Sequence, residues 1–121
     1  MTVERRRAQV RSGRLAETLA VWWLRGKGYR ILARDWRSPV GEIDILARRG
    51  RLLVAVEVKR RSGAREAAEA VQRQQQRRIA RAAEAFLARL DPGAGLSLRF
   101  DVVLIVPGRW PRHIVDAWRP D

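Results

Sequence analysis

Hydrophobic positions recur along this chain with two different periods, and the switches between them mark out the elements. Leu15, Leu19, Trp22 and Trp23 recur at helical spacing. Ser12 suits an N-cap and Gly28 lies past the end, so a helix is predicted over residues 12–26, with Trp22 and Trp23 in the core. Residues 1–11 are predicted to form a flexible basic arm ahead of a single domain over 12–121. Residues 29–36 read as a first strand, closed by the turn "RSPVG". Residues 40–47 form a second, "RRGR" a tight turn, and 52–60 a third, the most aliphatic of the set. A long helix is predicted from about 65 to 90, with Ala68, Val71, Ile79, Ala82, Phe86 and Leu90 on its apolar stripe. It ends at "DPGAG". A fourth strand over 96–106 and a short fifth over 113–118 complete the order: helix, three strands, helix, two strands. Short turns make the first three strands an antiparallel meander. A helical crossover delivers the fourth strand parallel to the third. The fold class is α/β, a central mixed β-sheet of about five strands flanked by two helices.

The third strand and its hairpin partner break their own pattern. "GEIDILARRGRLLVAVEVKRR" places Glu42, Asp44, Glu57 and Lys59 inside aliphatic runs. Alternation along a strand puts Glu42 and Asp44 on one face, and Glu57 and Lys59 on one face of the next strand. If the two faces agree, Asp44 and Glu57 converge beside Lys59. Neighbouring strands lie about 4.8 Å apart, which lets two carboxylates bridge one hard cation. Burial of such charges is costly unless they pair or bind metal. An ion pair of Lys59 with a carboxylate, or an edge strand whose polar face meets water, are the competing structural accounts. Glu17 shares a helical stripe with Ala20, Val21 and Leu24. It is either a further ligand or holder of a metal-bound water, or an acid favoured near a helix N-terminus.

Charge then selects a partner class. The 121 residues include 26 Lys and Arg against 13 Asp and Glu, a formal net charge of +13. Such an excess attracts polyanions, and the predominance of Arg suits bidentate phosphate contact. Arg60 ends the third strand and Arg61 follows it, and Arg73, Gln75 and Arg77 lie on the long helix; these are the candidate nucleic-acid contacts, Gln75 falling on the apolar stripe. The chain contains no cysteine and one histidine, His113, which excludes disulfides and thiolate metal sites. The default roles of His113 and Asp101 are structural. The basic N-terminus lacks the apolar core of a secretory signal, and runs such as "LAVWWL" and "VVLIV" are too short to span a bilayer. A soluble, cytoplasmic protein with no membrane partner is expected. A homodimer is compatible with the sequence.

These motifs resemble a known family. "GRLAETLAVWWLRGKGYRILARDWR", "GEIDILAR", "LLVAVEVKRR", "RFDVVLI" and "HIVDAW" are similar, from Gly13 to Trp118, to the YraN-like bacterial proteins. The resemblance implies the restriction-endonuclease-like fold of the PD-(D/E)xK nuclease superfamily. It implies Glu17, Glu42, Asp44, Glu57 and Lys59 as the catalytic set, with Asp44 and Glu57 as metal ligands and Lys59 as the catalytic lysine. Mg2+, with Mn2+ as a substitute, is the implied cofactor. The activity implied is phosphodiester hydrolysis in DNA by a metal-activated water, on structured or branched substrates met in repair or recombination. A non-catalytic module binding DNA or structured RNA on the same fold is the alternative. Three departures from the family pattern stand out: Gln75 where Lys is usual, Asp35 where Asn is usual, and Asp116 and Trp118 in the final motif where Asn and Phe are usual.

Overall fold

A short turn joins two aliphatic strands of the sheet. β2 (Gly41–Arg49) and β3 (Leu52–Arg60) pair antiparallel from Arg49↔Leu52 outward. Gly50 takes φ 62, a left-handed conformation in which a Cβ is unfavourable. In the computed structural model, residues 2–60, 72–90 and 95–120 are described, residues 4–12 by their backbone alone. Ahead of the hairpin, α1 (Val3–Gly26) leads into β1 (Arg30–Ser38), which pairs antiparallel with β2 and carries a bulge between Ile31 and Ala33. After it come α2 (Arg73–Arg89), β4 (Ser97–Ile105) and β5 (Arg112–Ile114). The sheet order is β1-β2-β3-β4-β5, with β4 parallel to β3 and β5 antiparallel to β4. This mixed five-stranded sheet with two helices is the arrangement that the restriction-endonuclease-like resemblance implies.

The helices cover opposite faces. Under α1, Ala20, Val21 and Leu24 pack on Ile45, Ala47, Val54, Val56 and Val103. Under α2, Ile79, Ala82 and Ala83 pack with Leu46, Leu53, Ala55, Val102 and Leu104. Trp36 meets Phe86 edge-on, and Trp118 stacks on Phe100 at 4.3 Å, closing the second core.

Several predicted boundaries move. α1 starts at Val3, so Ser12 lies inside the helix and not at its cap, and the segment expected as an arm has helical backbone. Its buried face is also different. Ala16, Ala20, Val21 and Leu24 face the sheet, while Leu15, Leu19 and Trp22 are exposed. Small residues let the helix approach the sheet, and hydrophobicity alone ranks them below Leu and Trp. α2 begins at Arg73, with Gln72 extended at its N-cap. The expected helical stretch over 65–71, with Ala68 and Val71, lies outside the described residues. β5 stops at Ile114, because Asp116 adopts a left-handed φ of 52 and turns the chain away.

Gly41 fixes how closely the helix on one face meets the sheet. A Cβ there would stand 2.6 Å from the Arg78 carbonyl oxygen of α2 and 3.1 Å from its carbon, with backbone rather than a flexible side chain in the way. Gly41→Ala therefore should force β2 and α2 apart and destabilise the fold by about 1–3 kcal/mol. Thermal denaturation checks this against Gly26→Ala, where nothing lies within 4 Å of the added carbon and the melting temperature should hold or rise.

Candidate metal and phosphate site

The site forms where the sheet opens. β2 and β3 pair only as far as Ile45↔Val56, whereas β3 and β4 stay paired through Arg60↔Ile105. At that fork the alternation of β2 fails: Ile43 belongs to the core under α2, and Ile45, two residues on, to the core under α1. Asp44 sits between them. Its Oδ2 accepts a hydrogen bond from the Val58 amide at 2.9 Å, so a side chain takes the place of the missing strand partner.

Glu57 lies one residue before Val58 and is only 4% exposed. Gln75 Nε2 of α2 donates to its Oε2 at 3.4 Å, and its Oε1 is buried with no hydrogen-bond partner. Burial first, and then the Asp44 charge, push Glu57 up, the Lys59 charge opposes them, and the carboxyl stands at about 8. Burial also raises Asp44, against the opposing effects of the Val58 amide and Lys59. Lys59 is half-buried and acts electrostatically on both carboxyls. Glu17 arrives from α1. It is raised by burial and by the charges of Asp44 and Asp35, and pairs with Arg34 at 3.5 Å.

The geometry thus brings Glu17, Asp44, Glu57 and Lys59 into one electrostatic group. It does not bring Glu42 in: that side chain is exposed and pairs with Arg37 at 3.7 Å. Glu42 and Gln75 instead line a cavity of about 530 Å³ on the α2 side, beside the Ser38–Gly41 turn. Asp35, which the sequence reading passed over as a site residue, is in the group. Its neighbours Arg34 and Trp36 pair with Ile45 and Ile43, which places it across from Asp44. Its φ of 49 is left-handed. Asp and Asn are the non-glycine residues that accept this conformation most readily, which suits an Asp to this position. That preference was the one signal available in the sequence.

A cavity of about 320 Å³ opens between α1 and the fork, lined by Glu17, Asp35 and Asp44 and by Arg14, Arg37 and Arg60. Arg73 and Arg77 are exposed on α2, and Arg61 lies outside the described residues. Among the described residues no three Asp, Glu or His side chains converge as a complete metal cluster. The chemistry of Asp44 and Glu57 nevertheless fits a hard cation. Burial raises both carboxyls, the Asp44 charge raises Glu57 further, and one buried Glu57 oxygen has no hydrogen-bond partner. A divalent cation would relieve both, its remaining positions being taken by water and phosphate oxygens.

A second polar network centres on Asp101 of β4, which is in register with Val56 of β3. Arg99 donates to both Asp101 oxygens at 2.8 and 2.7 Å and to Tyr29 Oη at 2.6 Å. His113 Nε2 lies 2.6 Å from Asp101, and the Asp116 amide donates to Asp101 at 2.9 Å. Burial alone would raise Asp101, but these hydrogen bonds outweigh it and hold the carboxyl below its usual range. The predicted structural roles of Asp101 and His113 are met.

Fold and site together define an α/β protein whose paired carboxyls and lysine stand at the fork of a mixed sheet. The chain belongs to the family described as "Uncharacterised protein family UPF0102", which matches residues 16–105. It is 59% identical over 113 residues to a UPF0102 protein of Parvibaculum lavamentivorans, covering 93% of this chain and 85% of that one. A UPF0102 protein of Paramagnetospirillum magneticum is 51% identical over 118 residues, 94% of this chain and 92% of that one. Another from Maricaulis maris is 49% identical over 120 residues, with 99% and 94% covered. Among the described residues, no helix is long and apolar enough to cross a membrane.

The raised Glu57 carboxyl sets a pH dependence with a definite sign. Between its ordinary value of 4.5 and about 8 the folded state holds a proton that the unfolded state releases. Without metal, stability should therefore fall as pH rises through that window, by on the order of 2–4 kcal/mol. Glu57→Gln should flatten the profile and melt higher than the native chain at pH 8. Native and Glu57→Gln chains whose melting temperatures follow the same course from pH 5 to 8 would show that Glu57 holds no extra proton in the folded state.

Proposed function

We propose that this chain is a divalent-metal-dependent nuclease that hydrolyses phosphodiester bonds in DNA, with structured or branched DNA as the substrate class. The observation that carries the reading is the Asp44–Glu57 pair at the strand fork, buried and electrostatically coupled, with Lys59 beside it and an arginine-lined cavity adjoining. A bound Mg2+ or Mn2+ would supply charge neutralisation and lower the pKa of water.

The chain's own residues have separable tasks in this reading. Asp44 and Glu57 hold the cation, and Gln75 orients Glu57 through its 3.4 Å hydrogen bond. Lys59 places a positive charge where charge develops on the phosphate oxygens. Arg14, Arg37 and Arg60 line the same cavity as Asp44 and hold the backbone by charge, a form of contact that fixes position without reading bases. Glu17 and Asp35 keep that cavity attractive to cations. The rival reading, a non-catalytic nucleic-acid-binding module, draws support from the absence of a three-residue metal cluster among the described residues.

Two experiments separate the readings. In the first, Mg2+ or Mn2+ raises the melting temperature of the native chain, because a ligand specific to the folded state stabilises it. Asp44→Asn should lose that shift while remaining folded. Native and Asp44→Asn chains responding equally would remove the metal site. In the second, cleavage of branched, flapped, single-stranded and duplex DNA is screened with Mg2+ and Mn2+. Lys59→Ala should cut at least about 100-fold more slowly with near-native DNA affinity, since one charge is a small share of many phosphate contacts. Arg14→Ala with Arg37→Ala should instead weaken binding and lower the salt slope by about 0.9 for each lost contact. Binding of the native chain with no cleavage of any substrate would favour the non-catalytic module.

A further inference from the structure

The outer face of α1 carries large apolar side chains that the fold does not use. Leu15 is 61% exposed, Leu19 43% and Trp22 64%. They lie four and then three residues apart, so they form one stripe along roughly two turns of helix. The helix already buries a different face through Ala16, Ala20, Val21 and Leu24, so this second stripe contributes nothing to the core. On one flank, Arg25 lies over the Trp22 ring at 5.5 Å, and Arg14 stands one residue before Leu15. On the other flank, Trp23 packs against Trp110, which is 82% exposed. An apolar strip of this kind, rimmed by charge of one sign, is characteristic of a docking surface.

We propose that this face binds an amphipathic, acidic helix of a protein partner, with apolar residues on the Leu15–Leu19–Trp22 stripe and carboxylates against Arg14 and Arg25. Its chemistry distinguishes this occupant from the others. Leu15 and Leu19 at the centre are aliphatic and offer no ring for a nucleobase; Trp22 has Arg25 over its ring, and Trp23 and Trp110 are packed on each other. A second copy would bring Arg14 and Arg25 against their own equivalents in a chain of net charge +13, and like charges placed opposite each other disfavour the pairing. A helix with apolar positions at three- and four-residue spacing matches the stripe in period, and acidic flanks match its rim. The proposal does not rest on the nuclease reading: none of Leu15, Leu19, Trp22 and Arg25 lines the carboxylate cavity, and Arg14 is the one residue at the edge of both surfaces.

The test uses the full chain and three synthetic peptides of one length: a Leu-striped helix with Glu flanks, the same with Lys flanks, and a scrambled Glu version. Binding is read by fluorescence anisotropy, and Trp emission reports contact at the face. The Glu-flanked helix should bind at least 10-fold more tightly than either control. Leu19→Glu and Trp22→Glu should each reduce that binding at least 10-fold without lowering the melting temperature, since both residues are already exposed. Equal binding of all three peptides, or binding indifferent to both substitutions, overturns the proposal. So does sedimentation of the native chain as a dimer that Leu19→Glu dissociates, which assigns the face to a second copy. Binding to anionic vesicles or to single-stranded DNA that Trp22→Glu abolishes, with no peptide selectivity, assigns it to a lipid or nucleic-acid surface and also overturns it.

Discussion

The hydrogen bond from the Val58 amide to the Asp44 carboxylate is the constraint on which the site depends. Where β2 and β3 part, an exposed strand edge would leave amides without partners, at a cost comparable to a lost hydrogen bond. Asp44 supplies the acceptor from a side chain, so the fork can stay open. The opening admits Glu57 from the face under α2 and Glu17 from α1, and leaves the cavity where the arginines gather. One carboxylate thereby serves both the architecture and the electrostatics. Its replacement by Asn would keep an acceptor for Val58 and remove the charge, which is why that substitution isolates the second role.

The two polar clusters solve the problem of buried charge in opposite ways. Asp101 is surrounded by donors from Arg99, His113 and the Asp116 amide, and its carboxyl is held in the charged form. Glu57 has a weak donor in Gln75, an oxygen with no partner and another carboxyl nearby, and it is driven towards the neutral form. A satisfied network stiffens the fold, whereas an unsatisfied one is a standing demand for a ligand. The contrast within one small sheet singles out the Asp44–Glu57 pair as the candidate for a bound cation.

Much of the architecture was legible because aliphatic strands and Gly-containing turns are strong local signals. β3 matches its predicted range, and the meander, crossover and parallel β3–β4 pair follow from connection lengths. The misreadings have physical causes. The inward face of α1 is built from Ala16, Ala20, Val21 and Leu24, whose value lies in close packing rather than bulk, so Leu15, Leu19 and Trp22 drew the assignment. Glu42 was grouped with Asp44 by alternation, and alternation ends at Asp44 itself. Asp35 joins the site through a left-handed backbone that sequence spacing does not encode.

Sheet order and chain order coincide in this fold, and that has a consequence for how it assembles. β1, β2 and β3 pair with their immediate neighbours in sequence, so the hairpin bearing Asp44 and Glu57 closes through short loops. The parallel β3–β4 pairing spans the intervening α2 and carries the larger loop-closure entropy. The residues of the carboxylate group lie between Glu17 and Lys59, while the Asp101 brace belongs to the last third of the chain. Most of the carboxylate group is thus written ahead of the crossover and most of the Asp101 brace after it. Sequence drift in β4 and β5 would bear mainly on the brace, with Tyr29 and Gln75 as the points where the two stretches meet.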